Sequence, residues 1–75
     1  MDDKKTLRTI DRHLFSLSLY LDSCAFMAGD VLLDFGELEE KSEELKEIEN
    51  KLLEIWGSLK EAAEEVRKEA KKIHG

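Results

Sequence analysis

Three side chains in the first third of the chain could do chemistry together: His13, Tyr20 and Cys24. An imidazole, a phenol and a thiol on one helix could hold a metal, a haem or a small apolar ligand, particularly if a two-fold axis supplied a second copy of each. The rest of the sequence does not complete such a site. His13 and Cys24 stand eleven residues apart, and the second histidine, His74, sits at the far end of the chain. The Glu-x-x-His pattern that di-iron bundles use is absent. Cys24 is the single cysteine, so it has no disulfide partner within the chain. As a nucleophile it would need an adjacent base or a helix amino terminus, and the sequence supplies neither. No paired carboxylates, Ser/His/Asp set or phosphate-binding glycine loop can be assembled. The expectation is a non-catalytic protein with no catalytic residues, no cofactor and no metal. A bundle holding a small apolar or metal ligand near His13, Tyr20 and Cys24 is the alternative.

Charge narrows the range of partners. Eighteen acidic and twelve basic residues give a net charge of −6, which repels phosphate backbones and argues against nucleic acid. The bases Arg67, Lys68, Lys71 and Lys72 gather near the end, but Glu64, Glu65 and Glu69 dilute them. That cluster reads as a complement to a helix dipole. Against this charged background, residues 14–35 carry charge only at Asp22, Asp30 and Asp34. The twenty residues from 14 to 33 have the length of a membrane span. Asp22 near their middle and Asp30 near one end would each cost about 2.5–3.5 kcal/mol on insertion. Association of this helix with a membrane therefore stays an alternative. A lone thiol and no visible export signal give cytoplasm as the expected location.

The elements that must position these residues are helical throughout. Charged residues make up 40% of the chain and proline is absent, a composition that favours long helices. Apolar residues recur at Leu7, Ile10, Leu14, Leu17, Leu21, Cys24, Ala28, Val31 and Phe35, in alternating steps of three and four. A second such series runs through Leu38, Leu45, Ile48, Leu52, Ile55, Leu59, Ala62, Val66 and Ile73, interrupted at Lys41 and Glu69. Both are heptad seams. Gly36 can end a helix in the left-handed conformation, and Asp34 with Glu37 has capping-box spacing. This predicts helix 1 over about 4–33, a turn at 34–36 and helix 2 over about 37–73. The fold class is all-α: one domain, residues 1–75, forming an antiparallel two-helix hairpin. A break near Gly57, where Ser58 and Glu61 also have capping-box spacing, would give a three-helix bundle instead.

A seam shared by two helices stays half open, and two hairpins close it as a four-helix bundle. A homodimer is the expected partner state. Helix 1 also carries apolar residues outside its seam. At about 100° per residue, Phe15, Leu19, Phe26 and Leu33 form a separate stripe, divided from the seam by serines and aspartates. This stripe is the expected partner or self-interface: a helix apolar on two sides is covered on two sides, by a second copy or by another protein. The function read from the chain is thus protein–protein interaction or assembly through apolar helix faces. The second half, with its regular Glu and Lys pairs, also fits a designed scaffold presenting helix 1.

Overall fold

The computed structural model describes the backbone of residues 3–74 and the side chains of residues 3–73. Two helices account for nearly all of it: α1, Asp3–Gly36, and α2, Glu43–His74. They lie antiparallel along one another, with Asp22 bonded to Arg67 and Gly29 against Trp56. The hairpin is a rod of 60 × 18 × 14 Å with a radius of gyration of 17.3 Å. A compact domain of this length would have a radius of gyration near about 11 Å. No third element folds back to shorten the rod among the described residues.

The turn falls later than its sequence signals suggested. Gly36 is not left-handed, and α1 continues through Asp34, Phe35 and Gly36. It ends in tightened i→i−3 bonds, from the Glu37 N–H to the Asp34 carbonyl and from the Leu38 N–H to the Phe35 carbonyl. Residues 37–42 form the connection. Ser42, rather than Asp34, caps α2: its Oγ accepts the Leu45 N–H at 3.2 Å. Glu43 and Glu44 follow in the first turn, where the helix dipole favours acids. Lys41 bends back to Glu49, with Nζ 2.8 and 3.0 Å from the two carboxylate oxygens, and so ties the connection to α2. Helix α2 passes unbroken through Gly57, so the three-helix alternative does not form.

Where the helices touch, the side chains are small. The buried residues are Ser18, Ala25, Ala28 and Ala63, with Ala63 fully covered and Ser18 only 2% exposed. The Ser18 hydroxyl donates to the Phe15 carbonyl of its own helix at 2.7 Å, which meets the cost of burying it. Gly29 lets the Trp56 indole lie close, since a Cβ there would stand 3.3 Å from Nε1. The Lys60 ammonium sits over that ring, 4.6 Å from its centroid. No leucine, isoleucine or phenylalanine is fully buried among the described residues.

Candidate interaction faces

The line along which the helices meet keeps every other position of the predicted seam and shifts the alternate ones by one residue. On α1 the covered or half-covered positions along it are Leu14, Ser18, Leu21, Ala25, Ala28, Leu32 and Phe35. Leu14, Leu21, Ala28 and Phe35 belong to the seam as read from sequence. Ser18, Ala25 and Leu32 take the places expected for Leu17, Cys24 and Val31, all three of which are exposed. The same displacement occurs on α2. Leu45, Leu52, Leu59 and Val66 stay on the line, together with Glu49, Trp56 and Ala63. Ile48 and Ile55 are exposed, and Ala62 is half-covered beside Ala63. Small residues take three of the shifted places, Ser18, Ala25 and Ala63, and these are buried, whereas Leu32, Glu49 and Trp56 in the other three stay half-covered. Leu7 and Ile10, both exposed, lie in the first turns of α1, which run past the end of α2.

Two apolar faces result, one on each side of the line. The groove that joins Phe15 to Arg67, Ala70 and Lys71 fixes which flank of α2 belongs with which flank of α1. Phe15, Leu19, Phe26 and Leu33, the separate stripe of the sequence, lie on that side, with Leu53 of α2. The sequence-predicted stripe residues are thus brought onto one exposed face, Phe26 being 72% exposed. The opposite side carries the displaced half of both seams: Leu17, Cys24 and Val31 of α1 with Ile48 and Ile55 of α2, flanked by Tyr20 and Met27. Both helices contribute large apolar residues to this second face. The first draws its large apolar residues almost entirely from α1.

The charge around the two faces differs. On the Phe15 side a groove of about 690 Å³ is lined by Arg8, Asp11, Arg12, Phe15, Ser18, Arg67, Ala70 and Lys71. A neighbouring one of about 530 Å³ is lined by Asp22, Lys60, Glu64, Arg67, Lys68 and Lys71. Asp22 and Arg67 close an ion pair between the helices there, with both side chains well exposed to solvent. Such a pair contributes under about 1 kcal/mol. The remaining ion pairs of α2, such as Glu47 with Lys51 and Glu69 with Lys72, lie on its outer surface.

The residues that could do chemistry do not converge. His13, Tyr20 and Cys24 are all exposed, and neither groove includes them. The side chain of His74 lies outside the described residues. Among the described residues no three His, Cys, Asp or Glu side chains come together as a metal site would need. Helix α1 is long and apolar enough to cross a membrane by length and composition. In the hairpin it runs beside α2, whose Glu and Lys residues would have to accompany it.

No known family, curated protein or solved structure matches the chain.

Sequence reasoning placed the stripe and the open half-seam as apolar positions but could not assign them to opposite sides of one hairpin. Ala25, Ala28 and Ala63 were legible as small residues that let a neighbouring helix come close, but Ser18 was missed as a contact residue. The signal was present in the recurrence of small residues at Ser18, Ala25, Ala28 and Gly29, and again at Ala63 and Ala70. Hydrophobicity alone ranks such positions below Leu17 and Ile55.

Proposed function

We propose that this protein is a non-catalytic helical assembly module that self-associates through its open half-seam, two hairpins forming a four-helix bundle. One observation carries the reading: the hairpin buries only alanines and a serine, while fifteen large apolar side chains remain exposed. Full burial of one leucine or phenylalanine contributes about 1.5–3 kcal/mol, and a chain of this size needs several such burials to stay folded. The hairpin alone obtains none. Its accessible surface is 6374 Å². A globular monomer of this mass would expose about 4,700 Å². The excess on one chain is about twice what each partner of an ordinary dimer covers, about 800 Å², so one such interface would remove roughly half of it.

The face with Leu17, Cys24, Val31, Ile48 and Ile55 suits a second copy, because both helices supply large apolar residues and a four-helix core needs contributions from each. The Phe15, Leu19, Phe26 and Leu33 stripe then serves as a second docking face, open to another protein. Sedimentation equilibrium tests both assignments. The wild-type chain is expected to be a dimer at micromolar concentration. Leu17→Asp should weaken the dimer by at least about a hundredfold, as expected for a charge left unpaired in an apolar core. Phe26→Asp should leave it intact. A folded wild-type monomer would overturn the reading, and loss of the dimer on Phe26→Asp alone would move the self-interface to the stripe. Flotation with liposomes checks the membrane alternative, in which α1 rather than a second copy covers its own apolar face with lipid.

A further inference from the structure

The hairpin is electrically polar along its length. The level of each residue follows from the cross-helix contacts, Asp22 with Arg67 and Gly29 with Trp56. Halfway along the rod therefore lies near residue 22 on α1 and residue 63 on α2. The half containing the connection, residues 23–62, holds eleven acids and four bases, a net −7. The other half, residues 3–22 and 63–74, holds six acids and eight bases, a net +2. Asp2, outside the described residues, completes the chain's −6. Only the fold creates this polarity, because it gathers the basic ends of the two helices together and leaves the acidic run from Glu37 to Glu44 at the opposite pole.

A dimer through the open half-seam has two ways to align its rods. With both connections at one end, a −7 pole faces another −7 pole across a spacing of about 10 Å between neighbouring helices. That spacing is comparable to the Debye length at physiological salt, so the repulsion is only partly screened. With the connections at opposite ends, each −7 pole faces a +2 pole. The apolar face itself does not choose: it runs along most of the rod, from Ile10 in the basic half through Cys24 near the middle to Ile48 towards the acidic pole. Resting on the self-association proposed above, we infer that the occupant of this face is a second copy of the chain in reversed orientation, its acidic connection end beside the basic end of its mate. Charge complementarity sets orientation and suppresses the wrong alignment even where it adds little to affinity.

The test is an intermolecular distance. In Cys24→Ser with Glu39→Cys, a spin label sits at the tip of the connection. The reversed dimer places the two labels at opposite ends of the rod, a separation close to its 60 Å length. The co-oriented dimer places them within roughly 20 Å, two helix spacings. A label at Glu61→Cys in the same Cys24→Ser background, exposed on α2 near the midpoint, reads a similar distance in either arrangement and reports dimerisation itself. A short distance at position 39 overturns the orientation while leaving self-association standing. Monomers in sedimentation, with no distance at either site, overturn both. Reversing Glu37, Glu40, Glu43 and Glu44 to Lys in the labelled protein changes the connection half from −7 to +1 and removes the polarity. A short-distance population should then appear. If the long distance persists alone, charge is not what sets the orientation.

Discussion

The two sides of each heptad seam are treated differently by the hairpin. Along the covered side, the buried residues are Ser18, Ala25 and Ala28 of α1 and Ala63 of α2. Along the open side, Leu17, Val31, Ile48 and Ile55 remain more than 40% exposed. Small side chains bring the backbones close but remove little apolar area from water. Large ones carry most of the chain's hydrophobic free energy, and within the hairpin they are at best half-covered. Geometry and energy are thus divided: the covered line sets how the two helices lie, and the open half-seam holds the apolar area from which stability must come.

The sharpest way to break the division is to make the covered line large. Ala63→Leu inserts three carbons where no space exists, and overpacking of this kind costs about 1–3 kcal/mol. In a chain of this size that lowers Tm by at least about 5 °C in a thermal scan followed by circular dichroism. If Ala63→Leu instead leaves Tm unchanged, the covered line is looser than its contacts imply. A gentler change separates helix propensity from packing. Gly57 lies inside α2 with nothing within 4 Å of where a Cβ would stand. Gly57→Ala should therefore stabilise by up to about 1 kcal/mol, the usual difference between the two residues inside a helix. A loss of stability there would reveal a close neighbour, such as a second copy on that surface. The smallest effect is expected at the ion pair beside the Phe15 groove. Asp22→Asn should change unfolding free energy by less than about 1 kcal/mol, and less still at high salt, because both partners are well exposed. A larger loss would mean that this flank is covered in the assembled protein.

Much of the fold was legible in the residues because helices announce themselves locally. The absence of proline, the three–four spacing from Leu7 to Phe35 and the charge gradient of α2 each depend on near neighbours in sequence. The turn was misplaced for a related reason. Gly36 and the Asp34–Glu37 pair are adequate stop and start signals, yet nothing local penalises a glycine that stays helical. Ser42 followed by Glu43 and Glu44 offered an equally good cap six residues later, and α2 begins there. Neither signal dominates by more than about 1 kcal/mol, so the choice falls to contacts that sequence spacing does not show, among them the Lys41 bridge to Glu49.

The sequence by itself determined that the chain is two amphipathic helices, that α1 is apolar on more than one side, and that its charge is acidic overall. Periodicity and composition are sufficient for those statements, since they concern one helix at a time. The tertiary structure decided which of the apolar positions meet. It kept every other position of each seam and moved the alternate ones to the next residue, placed the stripe and the open half-seam on opposite flanks, and collected the basic ends at one pole. Each of these depends on how closely two backbones can approach, which is a property of pairs of residues far apart in the chain.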